Sequence, residues 1–180
     1  DTLKIREFIE QHHPRSAVLA GGGFIGVELM ENLRELGIDV TVVQRPRQLL
    51  NPLDADMAAF LHAKLRQKGV RLHLGCTVEG FAANGDRVNV LLKDEAPLTA
   101  DMVVLAIGVT PDTGLAKAAG LELGIKGSIL VNDRMETSAP DIYAVGDAVQ
   151  VKHFVTGQDT LLSLAGPANK QERIAADNIC

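Results

Sequence analysis

A glycine-rich turn between an apolar strand and an amphipathic helix restricts the fold of this chain more than any other feature. Three glycines in the pattern Gly-x-Gly-x-x-Gly, residues 21–26, directly follow the apolar run Ser16–Ala20. Residues 24–36 then repeat apolar side chains at helical spacing, and a second apolar run follows over residues 39–43. We therefore predict a strand–helix–strand unit with parallel strands and a right-handed crossover.

The spacing of the glycines predicts a binding site for a pyrophosphate group. In such a turn Gly21 makes the bend, Gly23 lets the backbone approach the phosphates, and Gly26 lets the helix pack closely on the strand. The helix N-terminus adds free N–H groups and a partial positive charge. This context favours a dinucleotide-binding domain, and the alternative is a glycine turn with a structural role only.

The end of the second strand indicates which dinucleotide would bind. An acidic residue at this place binds the ribose 2′-hydroxyl of NAD(H), but the residue 18 positions after Gly26 is Gln44. Arg45 and Arg47 follow it, and guanidinium groups favour a 2′-phosphate. We predict NADP(H) over NAD(H), and the alternative is that both arginines are solvated loop charges.

The remaining patterns up to residue 111 predict an α/β domain. A second helix starts at the cap Asp54 and stops at Gly69. Its apolar face is expected to consist of Met57, Phe60, Leu61 and Leu65. A lead-in helix is predicted over residues 3–12. Strands are predicted over 70–74 and 102–107, and two more, 77–81 and 87–92, form a hairpin.

The pattern of the sequence changes after Pro111, from regular apolar periodicity to loop-rich segments. We therefore place a domain boundary between residues 1–111 and 112–180. The second part is loop-rich, with short strands predicted over 129–131 and 142–145 and a helix from about Pro167 to the last residue. Gly146 and Asp147 then follow a strand, beside an expected helix start. Asp147 is predicted either to hydrogen-bond a ligand hydroxyl or to cap that helix.

Composition excludes several classes of function. The net charge of −5 and the six aromatic residues disfavour nucleic acid as a partner. No apolar stretch approaches the roughly 20 residues of a membrane span. We see no signal peptide and expect a cytoplasmic location. Because the chain begins at Asp1 and stops inside a predicted helix, we expect it to be a piece of a larger protein.

The cysteines and histidines carry no recognisable chemistry. Cys76 is expected to be a small buried hydrophobic residue, and no cysteine spacing is typical of a metal or disulfide site. His62 is predicted on the exposed side of the second helix. No histidine has a ligand partner at metal-binding spacing, so no metal is expected.

Several motifs together resemble the pyridine nucleotide–disulfide oxidoreductase family. They are residues 20–28 (Ala-Gly-Gly-Gly-Phe-Ile-Gly-Val-Glu), 105–111 and 142–147. Residues 164–171 and 173–178 resemble the branch that contains coenzyme A-disulfide reductase, NADH oxidase and NADH peroxidase. Residues 151–157 are most similar to the coenzyme A-disulfide reductases, including forms fused to a rhodanese domain.

The resemblance implies a Rossmann-like, three-layer ββα domain for NAD(P)H, with a central parallel sheet and an antiparallel meander, followed by a returning segment of an FAD domain. The three motif glycines, with Phe24 and Ile25, would hold the pyrophosphate, and Glu28 would orient the nicotinamide carboxamide. The implied contacts elsewhere are Gln44 and Arg45 with the adenosine ribose, Gly108 with the nicotinamide cofactor, and Gly146, Asp147, Leu164 and Ala165 with FAD.

The same resemblance places the redox cysteine, the first FAD motif and the dimerisation domain outside this chain. The parent would pass hydride from NAD(P)H to FAD and then to a disulfide, oxygen or peroxide. We therefore expect no catalytic residue here, no firm FAD binding and no turnover by the fragment, and a homo-oligomeric assembly. The alternatives are a flavin-free NAD(P)-dependent dehydrogenase and a non-enzymatic nucleotide-sensing module.

Overall fold

The computed structural model describes all 180 residues, and the chain divides into two units, Asp1–Gly108 and Val109–Cys180. The first unit has three helices, α1 Thr2–His12, α2 Phe24–Glu35 and α3 Ala55–Gln67. Its seven strands are β1 Ser16–Ala20, β2 Asp39–Gln44, β3 Arg71–Leu74, β4 Val78–Asn84, β5 Arg87–Leu92, β6 Leu98–Ala100 and β7 Met102–Leu105. Strands β3, β2, β1 and β7 form a parallel sheet in that order, and β4, β5 and β6 form an antiparallel sheet.

Successive residues of β1 belong to different apolar layers. Leu19 lies in a core with Met30 of α2 and Leu65 of α3. Val18, its neighbour, lies in a second core with Val90 of β5. Because side chains alternate along a strand, the helices cover one face of the parallel sheet and the antiparallel sheet covers the other. The expected three-layer ββα arrangement is confirmed.

The apolar face expected for α3 is partly wrong. Leu65 is buried as expected and Leu61 is half-buried, but Met57 is 55% and Phe60 74% exposed. The third inward position is the fully buried Ala58. Positions 58, 61 and 65 form one helical stripe, and positions 57 and 60 form the next. Leu61 and Leu65 pack in the core with β1, so the stripe that contains Ala58 faces inward.

A carboxylate joins the amino-terminal edge of the parallel sheet to the hairpin. Asp101 accepts hydrogen bonds from the backbone N–H groups of Arg15 and Ser16 and from the Ser16 hydroxyl, each at 2.9 Å. Arg87 Nε donates to its other oxygen at 2.9 Å. Burial opposes ionisation of Asp101, but the hydrogen bonds from Ser16 and Arg15 and the Arg87 charge outweigh it, so the pKa of Asp101 lies below its usual value.

The second unit contains three short strands, two helices and a 3₁₀ turn. They are α4 Gly114–Ala118, the 3₁₀ turn Ile125–Gly127, β8 Ile129–Leu130, β9 Val149–Lys152, β10 Asp159–Thr160 and α5 Ala165–Ile179. Strand β9 pairs in parallel with β8 and antiparallel with β10. Helix α5 begins two residues before Pro167, the predicted start.

The strand predicted over residues 142–145 is wrong. Only Tyr143 makes a single bridge, to Glu136, and the strand of this region is β9. Asp141 and Gly146 have positive φ angles of 59° and 86°, which interrupt an extended backbone on both sides. Asp147 therefore lies in a turn before β9, neither at the end of a strand nor at the start of a helix.

Candidate functional site

A cleft of about 540 Å³ lies at the carboxyl ends of the parallel strands of the first unit. Its walls come from the ends of β1, β2 and β7 and from the segment that follows β3: residues 20–23, 43–46, 106–108 and 76–78, together with Asn51. The carboxyl edge of an open parallel sheet is where such folds bind ligands, because loops and helix N-termini converge there.

Two of the motif glycines are required by the fold itself. Gly21 has a φ of 109°, and a Cβ on it would overlap the carbonyl oxygen of Ala106, just beyond β7. A Cβ on Gly26 would overlap the carbonyl oxygen of Gly21. These close approaches bring the start of α2 against the turn and the neighbouring strand end.

Gly23 and Gly108 border open space, although Gly108 also has a φ of 123°, which itself favours glycine. A Cβ on either residue would meet no protein atom within 4 Å. Gly23 is the N-cap of α2, no side chain caps this helix, and its first N–H groups have no intrahelical partner. The open backbone at Gly23 fits a pyrophosphate, which would accept from these N–H groups beside the positive end of the helix.

The Gln44 side chain holds the glycine turn. Its Oε1 accepts a hydrogen bond from the Gly22 N–H at 2.9 Å, and its Nε2 donates to the Gln48 carbonyl at 3.4 Å. The Gln44 carbonyl accepts from the Cys76 N–H at 3.1 Å. Gln44 therefore lines the cleft, with its side-chain oxygen already bonded inside the protein.

Electrostatically the cleft suits an anion. No aspartate or glutamate lines it, and Arg45 is its one charged side chain. Arg45 and Arg47 are both exposed, and neither takes part in an ion pair. Arg47 does not line the cleft, because its stem lies beside Gly75. The two arginines thus occupy different positions relative to the site.

The other predicted nucleotide contacts lie outside the cleft walls. Phe24 and Ile25, in the first turn of α2, are 51% and 53% exposed, and Glu28 is exposed one turn further along. None of the three lines the cleft. All three follow the N-cap Gly23 in the first turns of α2, so they lie next to the glycine turn but outside the cleft.

The sequence predicted Arg45 at the site but not two further residues of its loop, Pro46 and Asn51, nor one histidine that supports the loop. The β2–α3 loop, residues 45–54, contributes Arg45, Pro46 and Asn51 to the walls. His62 is half-buried, contrary to the prediction, and its Nε2 accepts the backbone N–H of Leu49 at 3.0 Å. The Asn51-Pro52 pair marks a turn in the sequence, but no local pattern indicates this hydrogen bond.

Cys76 forms part of the cleft floor and is buried, as expected. Burial and the nearby Glu95 carboxylate raise the pKa of its thiol. Cys76 therefore remains a neutral thiol at neutral pH. Cys180 is free and exposed at the end of α5.

In the second unit, a buried glutamine connects the Gly146 turn to α5. Gln171 Oε1 accepts the Gly146 N–H at 2.7 Å. Asp147 is exposed beside this turn, and Leu164 and Ala165 are exposed at the start of α5, which has no side-chain cap. The four predicted FAD contacts thus lie on two segments, 146–147 and 164–165. The Gln171 hydrogen bond connects the first segment to α5, at whose start the second segment lies.

No cluster of histidine, cysteine or acidic side chains in the chain has the geometry of a metal site. None of the helices combines the length and the apolar character needed to cross a bilayer.

Comparison with known proteins gives consistent matches along most of the chain. The sequence pattern of the pyridine nucleotide-disulphide oxidoreductase family matches residues 2–171. The CoA-dependent NAD(P)H sulfur oxidoreductase of Pyrococcus abyssi is 35% identical over 180 residues, with 99% of this chain and 40% of the relative aligned. The chain therefore spans about two fifths of the length of such curated relatives.

Two solved structures are similar in fold and sequence. Reduced Bacillus anthracis CoADR-RHD superposes with a TM-score of 0.91 at 47% identity, covering 99% of this chain and 32% of that one. An engineered water-forming NADPH oxidase bound to NADPH superposes with a TM-score of 0.88 at 30% identity, covering 99% of this chain and 40% of that one.

Proposed function

The chain belongs to the pyridine nucleotide-disulphide oxidoreductase family, and from this premise we propose that it is the nicotinamide-cofactor-binding portion of a flavin-dependent oxidoreductase. The first domain, residues 1–111, binds NAD(P)H, and residues 112–180 contribute part of an FAD site. When bound, the cofactors carry hydride from NAD(P)H to FAD and on to an acceptor. The family match supports this function over a flavin-free dehydrogenase.

The observation that carries the proposal is the uncapped start of α2 above a cleft without carboxylates. N–H groups of the first turn bind the pyrophosphate, and Gly23 leaves the space that it occupies. Gly21 and Gly26 keep the turn tight enough for these N–H groups to point into one place. The chain's own contribution is thus to bind and orient the nicotinamide cofactor.

We propose NADPH as the preferred cofactor. The first support is that Arg45 lies at the cleft wall with no acidic partner. The second is the engineered NADPH oxidase, whose substitutions include an aspartate to alanine followed directly by an alanine to arginine. In that enzyme the two changes lie 18 and 19 positions after a glycine-to-alanine change. In this chain Gln44 and Arg45 lie at the same distances after Gly26.

For the acceptor we propose a disulfide or persulfide of the coenzyme A type. Support comes from the sulfur oxidoreductase of Pyrococcus abyssi, described as CoA-dependent. The alternative acceptor is oxygen or peroxide, which the NADH oxidase of Methanocaldococcus jannaschii, 37% identical over 180 residues, supports. The acceptor is selected by parts of the parent enzyme beyond these residues.

The remaining proposals concern the setting of the chain. Its partners are the other FAD-binding half of the enzyme and a dimerisation domain, with a rhodanese domain as a further candidate, in a homo-oligomer. The coverage of about two fifths of each curated relative supports a larger parent. The two free cysteines support a reducing, cytoplasmic location.

Calorimetric titration of the 180-residue chain with NADPH and NADH tests the proposed function. We expect saturable binding of both, tighter for NADPH. Gly23→Val should weaken both at least about tenfold, because the added side chain occupies the phosphate space. Ala63→Val, a similar enlargement on the exposed side of α3, should leave both unchanged. Absence of binding by the wild-type chain would contradict the proposal.

A further inference from the structure

The side chain of His62 links α3 to the β2–α3 loop. Its ring is half-buried, and Nε2 lies 3.0 Å from the backbone nitrogen of Leu49. A backbone N–H can only donate, so this ring nitrogen must be unprotonated and the ring proton must reside on Nδ1. The hydrogen bond therefore exists only while His62 is neutral.

The same segment of the loop is held by the glycine turn. The Leu50 N–H donates to the Gly22 carbonyl at 2.8 Å. The fully buried Leu49 side chain fills the space that a Cβ on Gly22 would need. Leu50 has a φ of 47°, a left-handed conformation that a leucine adopts only when its surroundings impose it. His62 and Gly22 thus hold Leu49 and Leu50 from two sides.

This inner anchorage determines where the outer part of the loop lies. Arg45, Pro46 and Asn51 line the cleft, whereas Leu49 and His62 do not. The end of β2, where the loop starts, is the side at which a dinucleotide's adenosine ribose binds in this type of fold. Any loosening of Leu49 would therefore act first on the adenosine side of the site, where Arg45, Pro46 and Asn51 lie.

We propose that His62 is a positioning residue for the nicotinamide cofactor: its neutral ring holds the β2–α3 loop in the conformation that binds the adenosine end. The inference rests on the proposed function, because it assumes that the cleft binds NAD(P)H. His62 touches no cofactor atom in this scheme and acts through Leu49. Protonation of the ring removes the acceptor and releases the loop, so cofactor affinity falls in acid.

The charges around the ring are consistent with a neutral His62 near neutral pH. Burial lowers its pKa, and the Arg66 charge one turn along α3 lowers it further. The other charged groups of the surrounding elements are Asp54, Asp56 and Lys64 on α3 and its cap, Arg45 and Arg47 in the loop, and Arg71 and His73 on β3. None of these shifts the His62 pKa. Affinity is therefore constant above about pH 6.5 and falls below it, as the pH passes the lowered pKa.

Two substitutions separate the hydrogen bond from the titration. His62→Leu removes the acceptor, and His62→Gln places an amide oxygen near the position of Nε2 without a titrating group. NADH is the probe, because it lacks the 2′-phosphate that would itself titrate near pH 6. The matched control is His12→Gln on the exposed helix α1.

Binding of NADH to the 180-residue chain is measured by calorimetry between pH 5 and 8. At pH 7.5 we expect His62→Leu to bind roughly five- to tenfold more weakly, the loss of about one hydrogen bond, and His62→Gln and His12→Gln to bind like wild type. Once the pH falls through the lowered His62 pKa, wild type and His12→Gln should weaken, while His62→Gln should not. An acid weakening that persists in His62→Gln would overturn the inference, as would wild-type affinity in a folded His62→Leu.

If His62→Leu does not fold, the pH profiles of wild type and His62→Gln decide alone. Coincident profiles overturn the inference, and a flat profile for His62→Gln against a falling one for wild type supports it. Failure of the wild-type chain to bind NADH or NADPH at pH 7.5 is a different result, because it contradicts the proposed function before His62 is tested.

Discussion

The side-chain oxygen of Gln44 lies 2.9 Å from the backbone nitrogen of Gly22 and accepts its hydrogen bond. This contact joins the end of β2 to the glycine turn across the cleft. It means that Gln44 shapes the glycine turn, and that its side-chain oxygen is free for a ribose hydroxyl only if the hydrogen bond to Gly22 breaks. The charge at position 44 should nevertheless influence cofactor choice.

Gln44→Glu should reverse the proposed preference for NADPH. A carboxylate can still accept from the Gly22 N–H, although it cannot donate to the Gln48 carbonyl, and it adds a negative charge to a cleft that has none. We expect NADPH affinity to fall about tenfold or more through repulsion of the 2′-phosphate, with NADH affinity within about threefold. Calorimetry with both cofactors measures this, and Gln11→Glu on α1 adds the same charge elsewhere. Equal losses for both cofactors would contradict the prediction.

Arg45→Ala should lower the ratio of NADPH to NADH affinity at least about tenfold, since a charge-assisted contact to phosphate contributes roughly 1.5–3 kcal/mol. Arg47→Ala, which removes the same charge from a residue outside the cleft walls, should lower it much less. Titrations at low and high salt provide the measurement, because the Arg45 contribution should weaken as salt screens it. An unchanged ratio in Arg45→Ala would assign both arginines to the solvated loop.

Gly21→Ala should destabilise the chain by at least about 2 kcal/mol, because the positive φ and the overlap with Ala106 cannot both be relieved. Gly23→Ala should change stability by no more than about 0.5 kcal/mol, because its Cβ meets no protein atom. Urea unfolding followed by circular dichroism compares them. Equal stability of the two variants would show that the turn relaxes more easily than its contacts imply.

Asp101→Asn should cost about 1–2 kcal/mol at pH 7, since it weakens hydrogen bonds to an ionised group. The folded-state pKa of Asp101 is lowered, so its contribution is present above the unfolded pKa, near 4, and disappears as the pH falls through the lower, folded value. The stability difference between wild type and variant should therefore shrink below pH 4. Asp86→Asn, an exposed hairpin-turn residue, is the control and should show no such difference at any pH.

Leu65→Ala and Phe60→Ala test the orientation of α3. Leu65 is 7% exposed and Phe60 74% exposed, so we expect losses of roughly 2–4 kcal/mol for the first and within about 0.5 kcal/mol for the second. Thermal unfolding of the 180-residue chain gives both values. A large loss for Phe60→Ala would mean that its ring is covered in solution, for example in an assembly.

The sequence by itself determined the glycine turn, the helix that follows it and the parallel strands on both sides. These depend on local requirements: Gly21 needs a positive φ, and apolar side chains repeat with the period of a helix or a strand. The same patterns predicted the family, because the motifs are short and contiguous. Burial of Cys76 and Leu65 followed from their apolar character.

Only the tertiary structure decided which groups meet across these elements. The apolar residues of α3 fit two neighbouring stripes, and only the packing of the folded chain shows that the one with Ala58, Leu61 and Leu65 is buried. Residues 142–145 are apolar enough for a strand, but the positive φ angles of Asp141 and Gly146 interrupt the extended backbone on both sides, leaving one bridge at Tyr143. The contacts of Gln44 with Gly22 and of His62 with Leu49 join residues far apart in the chain. Their strength depends on distance and direction in space, which residue order along the chain does not specify.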